Sequence, residues 1–312
     1  MGDILMNLPA IRILRQTYPK AWITVLLDKS VAGLLQGHPD IDEIMAVDAG
    51  KIRGGLHGFF CLAGKLKKIG FDLCFVSNPD KYLHALSFFS GIPRRVGHDR
   101  KCGFFLNKKL RKNSQPSLHE IEKNLSLVRL VSEKSWDGQW SLPLDSQAIK
   151  NVQGLLTRYF PEEGPVIVLH AGTSNPAKRW PAEHFAKLCD KVNERGRYSI
   201  ALMGGAEEKE ISAEVARLSK SKLVDFTGAL TLRELVAFFN NQQVKLLVSV
   251  DSGPVHVAWI SKVPVVALYA RNNEGSDPAR WGPLGPKHEV IHKNMSEITV
   301  DEVYEKVCKI LF

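Results

Sequence analysis

The sequence is short of cysteine and of acid, and it contains no long apolar run. Its five cysteines, Cys61, Cys74, Cys102, Cys189 and Cys308, are scattered, odd in number and without a CxxC pair. That pattern argues against a disulfide framework or a zinc site and for buried thiols in a reducing compartment. No stretch of about eighteen uncharged apolar residues occurs, so no membrane-spanning helix is expected. A basic segment followed by an apolar one is also missing at the start, where Asp3 directly precedes Ile4-Leu5-Met6. A cytoplasmic chain is therefore expected, with membrane contact only peripheral. Internal repeats and low-complexity segments are absent too. With 44% apolar and 24% charged residues over 312 positions, the composition is that of a globular protein long enough for two domains.

The acid deficit is uneven. Overall, 33 Asp+Glu face 42 Lys+Arg, a net charge of +9. Residues 1–145 hold 21 basic against 14 acidic residues, +7, whereas residues 146–312 hold 21 against 19, +2. Such a surplus suits an anionic partner: nucleic acid, a membrane surface or a phosphorylated substrate. No recognition-helix, RNP or OB pattern accompanies it, so nucleic acid is not the expected partner. The surplus peaks at 94–112, where Arg94, Arg95, Arg100, Lys101, Lys108, Lys109, Arg111 and Lys112 are opposed only by Asp99. Phe104, Phe105 and Leu106 lie within this stretch. It reads either as a solvated basic loop or as a surface for anionic lipid or phosphorylated saccharide, with the apolar trio turned toward a membrane interface.

Short apolar, β-branched runs alternate with helical patterns. Residues 165–170, 198–203, 245–250 and 263–268 read as buried parallel strands of a second domain, with a helix over about 182–195. In the first half, 22–27, 71–76 and 95–97 read as strands, and 4–18, 57–68, 80–89 and 119–132 as helices. The alternation predicts an α/β chain of two Rossmann-like halves, divided near residue 145 into 1–145 and 146–312.

Three strand-to-helix loops of the second half carry polar groups suited to a ligand. His170-Ala171-Gly172-Thr173-Ser174 is followed by Lys178-Arg179-Trp180-Pro181. Gly172 permits close backbone approach, Thr173 and Ser174 offer donors, and Lys178 supplies a cation, the needs of a diphosphate held without metal. The same loop also reads as an ordinary βα turn. In Asp251-Ser252-Gly253-Pro254-Val255-His256 a Pro opens a helix and leaves amides at its positive end; His256 reads equally as a packing residue. Met203-Gly204-Gly205-Ala206-Glu207-Glu208 places carboxylates where they can meet ribose hydroxyls or simply favour a helix start. The dinucleotide fingerprint GxGxxG, the Walker loop and the nucleophile elbow GxSxG are all missing. Asp40-Ile41-Asp42 imitates a DxD metal motif but has no further acidic cluster and reads as structural. Gly2-Asp3 puts a carboxylate at a helix start, a place suited to a general base.

In this order and spacing the motifs resemble glycosyltransferase family 9, the ADP-heptose:lipopolysaccharide heptosyltransferases. The resemblance rests on the opening Gly2-Asp3-Ile4-Leu5-Met6-Asn7-Leu8-Pro9-Ala10-Ile11-Arg12 with Tyr18-Pro19, on the three loops above, and on Phe226-Thr227-Gly228 with Leu232. It implies a GT-B fold of two Rossmann-like domains facing a central cleft, and an inverting transfer with no metal or cofactor beyond the ADP-heptose donor. By position it implies that Thr173, Ser174 and Lys178 hold the ADP phosphates, Glu208 the ribose and Leu230 the adenine. Asp251, Ser252, Gly253 and His256 would line the heptose and diphosphate, and Asp3 would be the catalytic base. The acceptor implied is the anionic lipopolysaccharide inner core with lipid A, at the cytoplasmic face of the inner membrane, most simply for the second heptose; Arg94, Arg95, Arg100 and Lys101 are its candidate contacts. The family opens with an apolar strand before Gly-Asp. Here Met1 stands where that strand would end, so the first domain is expected to lack its first strand, with the true start roughly ten residues upstream. Another family 9 or GT-B transferase or epimerase, or a non-catalytic binding member, are the alternative readings.

Overall fold

A computed structural model describes residues 1–50, 55–111, 118–273 and 275–312. They form two compact units, Asp3–Trp140 and Ser141–Phe312. Every strand pairing is parallel.

The first unit holds β1 (Thr24–Asp28) and β2 (Glu43–Val47) as one pair, and β3 (Leu73–Val76), β4 (Arg94–His98) and β5 (Lys108–Leu110) as a separate three-stranded sheet. The single helix expected over 4–18 is two, Gly2–Leu5 and Leu8–Thr17. Pro9 sits in the first turn of the second, where its missing N–H costs nothing. The carbonyl of Met6, in the break, is not orphaned: the buried Asn124 amide donates to it at 3.0 Å. Asp40 and Asp42 are taken up structurally. Arg12 lies 4.0 Å from Asp40, and Arg15 pairs with Asp42, which also accepts the amide of Ile23 at 2.7 Å.

The basic stretch is not a loop. It is β4, the turn Gly103–Phe105 and β5, with Lys112 outside the described residues. Nor does the apolar trio act as one: Leu106 is 4% exposed and packed against Gly97, while Phe104 is 71% exposed. The expectation of buried thiols also fails for most of the cysteines. Cys189 alone is buried, its thiol pushed up to about 12 by burial. Cys61 and Cys102 are exposed because they fall on the solvent side of a helix and in a tight turn.

The second unit is built on one sheet: β6 (Val166–His170), β7 (Ser199–Leu202), β8 (Leu223–Asp225), β9 (Val244–Val250), β10 (Val265–Ala270) and β11 (Glu289–Lys293), in the order β11-β10-β9-β6-β7-β8. All of β6 and β10 is buried, as expected of central strands covered on both faces. Helices Ala182–Asn193, Lys209–Leu218 and Val300–Leu311 pack together, and Ser146–Tyr159, Leu232–Phe239 and Gly253–Ile260 form a second group. Leu232–Phe239 begins with a reciprocal cap, Thr231 accepting the Glu234 amide while Glu234 accepts from Thr231. The chain winds outward from β6 to β8, then returns to lay β9 on the other side of β6. The direction of winding reverses between β6 and β9, which is where open α/β sheets part at their carboxyl ends.

Trp180 anchors the loop after β6. Its ring is fully buried and meets Phe185 edge-on at 4.8 Å, and its Nε1–H donates to the Ile298 carbonyl at 2.9 Å. Among the described residues no helix is long and apolar enough to cross a membrane. Trp180→Phe keeps most of the ring but leaves that buried carbonyl unpaired. It is expected to destabilise the second unit by ~1–3 kcal/mol in urea unfolding; an unchanged midpoint would contradict this account of the anchor.

Candidate functional site

The loops that follow β6, β7 and β9 are neighbours at the carboxyl end of the sheet, and the reversal point lies among them. The sheet therefore collects residues that are far apart in sequence. Their centre is a residue to which the sequence reading gave no role. His170, the last residue of β6, has a side chain only 2% exposed. Its Nε2 lies 3.0 Å from Glu208 Oε2, and its Nδ1 lies 3.1 Å from the Ser252 hydroxyl and 3.2 Å from that of Ser249.

The proton positions follow from what each partner can do. An ionised Glu208 only accepts, so the Nε2–H donates to it. Ser249 donates its own proton to the Val250 carbonyl at 2.7 Å. On the other side of the ring Nδ1 meets the Ser252 hydroxyl, which is able to donate to it. One imidazole thus joins the loops after β6, β7 and β9.

Glu208 is pressed between two chain segments. A Cβ on Gly172 would collide with its carboxyl carbon, and one on Gly204 would lie 2.7 Å from Oε2, so both positions need glycine for close approach. Gly205 N–H also donates to Oε2 at 2.7 Å. Burial pushes the Glu208 carboxyl up, but the His170 hydrogen bond, the Gly205 amide and the field of Arg179 outweigh it. The net position is below the ordinary carboxylate value.

Lys178 and Asp251 also come together. Nζ lies 2.6 Å from Oδ2, with side chains 17% and 9% exposed. The Asp251 backbone is pinned by its N–H to the Leu268 carbonyl at 2.9 Å. Ser252 stands at the N-cap of Gly253–Ile260 but makes no side-chain cap bond, because its hydroxyl is turned to His170 and Ser249. Gly253 is the first residue of that helix, and His256 is buried in its first turn, 6.4 Å from the Trp281 ring. Thr173 is 9% exposed and accepts the Asn175 amide at 3.3 Å; Ser174 beside it is exposed. Leu230 is half-buried in the turn after Gly228, whose φ of +73° is a glycine conformation.

The remaining candidates lie in the first unit. Asp3 is exposed in the short helix Gly2–Leu5, its carbonyl accepting from the Asn7 amide group at 2.6 Å. Arg94, Arg95, Arg100 and Lys101 do not form one cluster. Arg94 and Arg95 open β4, at the amino end of the strand, whereas Arg100 and Lys101 follow its carboxyl end. The Arg95 guanidinium is spent on the carbonyls of Ile92 and Phe105, a splint between two turns. Arg94 instead lines a cavity of about 290 Å³ with Tyr18, Asn107 and Lys108. Among the described residues no group of three or more His, Cys, Asp or Glu is placed to hold a metal ion.

The sequence profile of glycosyltransferase family 9 (heptosyltransferase) matches residues 60–308. The chain belongs to that family. Lipopolysaccharide heptosyltransferase 2 of Escherichia coli (strain K12) is 27% identical over all of this chain and 96% of its own length. The solved family 9 glycosyltransferase of Veillonella parvula superposes with a TM-score of 0.88 at 24% identity, covering 100% of this chain and 94% of that one. The solved E. coli ADP-heptose lipopolysaccharide heptosyltransferase II gives 0.81 at 24% identity, covering 99% and 95%. The α/β GT-B class expected from the motifs is therefore the fold of this family 9 glycosyltransferase.

Two outcomes follow from the His170 junction. His170→Ala leaves a buried carboxylate without its ring partner and is expected to cost ~1–3 kcal/mol in urea unfolding. Because the folded state holds Glu208 below its ordinary value, its contribution is full at neutral pH and is lost as pH falls through that lowered value. The stability gap between the parent and Glu208→Gln should thus shrink on acidification; a gap independent of pH would contradict the assignment.

Proposed function

We propose that this family 9 glycosyltransferase moves heptose from ADP-heptose to the inner core of lipopolysaccharide, as a heptosyltransferase II, with inversion and without a divalent ion. The observation that carries the reading is the convergence of Lys178, Glu208, Asp251 and the uncapped start of Gly253–Ile260 at the sheet's reversal point. A cation, a hydrogen-bonded carboxylate and helix-terminus amides are the groups that a nucleoside diphosphate sugar needs. The E. coli relative's name and the solved transferase's description, which includes ADP-heptose, support the same donor and the second heptose.

In this reading Thr173, Ser174 and Lys178 hold the phosphates, with Lys178 exchanging Asp251 for a diphosphate oxygen. Glu208 presents its carboxylate to the ribose, and Leu230 flanks the adenine. Asp251, Ser252, Gly253 and His256 line the heptose and diphosphate. The acceptor hydroxyl oxygen bonds to the anomeric carbon while the bond from that carbon to the ADP β-phosphate oxygen breaks. The hydroxyl proton passes to Asp3, and ADP leaves with the electron pair, its charge met by Lys178 and the helix amides. Attack opposite the departing group inverts the anomeric centre. The anionic acceptor is met on the first unit, with Arg94, Arg100 and Lys101 as the cations available to it. The protein works at the cytoplasmic face of the inner membrane, which it touches peripherally.

The test is ADP release from ADP-heptose with and without a heptose-deficient core acceptor, in the presence of EDTA. Acceptor-dependent release unaffected by EDTA is expected. Lys178→Ala should lower kcat/KM by ~10²–10³, and Asp3→Ala should lower kcat by ~10²–10⁴. No acceptor-dependent release, loss of turnover with EDTA, or unchanged rates in both variants would each overturn the corresponding part of the reading.

A further inference from the structure

The first unit carries exposed aromatic rings to which neither donor nor acceptor chemistry gives a role. Helix Leu56–Ile69, the end of helix Lys81–Phe89 and the turn Gly103–Phe105 bring six phenylalanine rings into one continuous array. Phe60 meets Phe89 at 5.8 Å and Phe59 meets it at 6.1 Å; Phe88 meets Phe105 at 5.2 Å, and Phe105 meets Phe104 at 4.3 Å. Packing among rings normally serves to remove them from water. Here Phe59 alone is buried, while Phe104, Phe60, Phe89 and Phe88 are 71%, 52%, 47% and 46% exposed. Leu56, 78% exposed and one helical turn before Phe60, extends the array. At ~200 Å² per ring the open apolar area is roughly 500 Å², near the upper end for the largest patch on a soluble monomer.

The elements that carry the rings are predominantly basic. Residues 55–71 contain Lys65, Lys67 and Lys68 and no acid. Helix Lys81–Phe89 adds Lys81 beside its N-cap Asp80, and the turn Gly103–Phe105 follows Arg100 and Lys101 and precedes Lys108 and Lys109, against Asp99, which is paired with Lys109 at 3.3 Å. The Arg95 guanidinium itself lies 5.4 Å over the Phe88 ring. Exposed rings set among cations are what the boundary between anionic headgroups and acyl chains accommodates, rings inward and charges on the lipid phosphates. A second copy of the same face would instead oppose like charge with like.

We propose that this face docks the protein on an anionic bilayer, with Phe60, Phe88, Phe89 and Phe104 entering the headgroup–acyl boundary. The surface differs from the one suggested by sequence: Leu106 is withdrawn into the core, and rings from two other helices replace it. The proposal rests on the transferase reading for the identity of the membrane, whereas vesicle binding needs neither donor nor acceptor.

The experiment is co-sedimentation of the full chain with vesicles of phosphatidylglycerol and phosphatidylethanolamine, and with vesicles of phosphatidylcholine alone. Binding to the anionic vesicles is expected to exceed binding to the neutral ones by about tenfold or more, and Phe60→Ser with Phe104→Ser should weaken it by a similar factor. Both substituted residues are more than half exposed, so the fold does not depend on them. As an independent readout, Phe104→Trp should add emission that shifts to the blue with anionic vesicles and is quenched by brominated acyl chains. Absence of vesicle binding, equal binding by parent and double variant, or a dimer in sedimentation velocity that the double variant dissolves would each overturn the proposal. Turnover on a deacylated, water-soluble acceptor separates the two readings. The double variant should retain it, and a protein that binds vesicles but transfers no heptose would sink the transferase reading while leaving this face intact.

Discussion

The imidazole of His170 is the interaction on which the arrangement of the second unit's loops depends. A parallel sheet delivers the ends of β6, β7 and β9 side by side but does not fix the loops beyond them. The fixing is done by one buried ring with two nitrogens, one turned to Glu208 and the other to Ser252 and Ser249. A ring in a dry setting has few alternatives, because abandoning either bond would strand a polar group out of water. The glycines at 172 and 204 complete the arrangement by letting the chain close on the carboxylate. Loop positions in this unit are therefore a property of a three-part hydrogen-bonded junction more than of each loop's own turn chemistry.

Much of the fold was legible in the sequence, and the misses share a cause. Strands such as Val166–His170 and Val265–Ala270 announce themselves because burial on both faces demands unbroken apolar, β-branched residues. The strands that escaped notice, Glu43–Val47, Lys108–Leu110, Leu223–Asp225 and Glu289–Lys293, each lie at the edge of a sheet. Edge strands are short and charged so as not to pair with other chains, and that protection erases the pattern by which strands are read. Cys61 illustrates a related limit: its helix is apolar enough to suggest burial, but part of its apolar surface faces solvent.

The candidate site was legible to the extent that its chemistry is local. Lys178, Glu208 and Asp251 lie in the connections that follow strands, in loops whose glycines and prolines mark them. His170 was not, because a histidine ending an apolar run looks like one more strand residue, and its partners lie 38 and 82 positions away. Arg95 shows the opposite limit: its charge suggested a ligand, and its bonds to two carbonyls of its own chain could be seen only after folding. The aromatic face was hidden for the same reason as His170, since Phe60, Phe88 and Phe104 belong to three elements and meet only after folding.

The Lys178–Asp251 contact supplies the lysine with a counter-ion from its own chain. With an ammonium 2.6 Å from a carboxylate, each charge has its counter-ion within the chain and needs no solute for balance. An anion arriving there has to displace a tethered competitor whose local concentration never falls. A monovalent ion offers one weak contact in exchange and gains little. A polyanion, which meets the lysine and the helix amides at once, replaces that contact and adds others. If the site takes the nucleoside diphosphate proposed for it, the pair would thus set a threshold that favours ligands with several charges on one short chain over small anions.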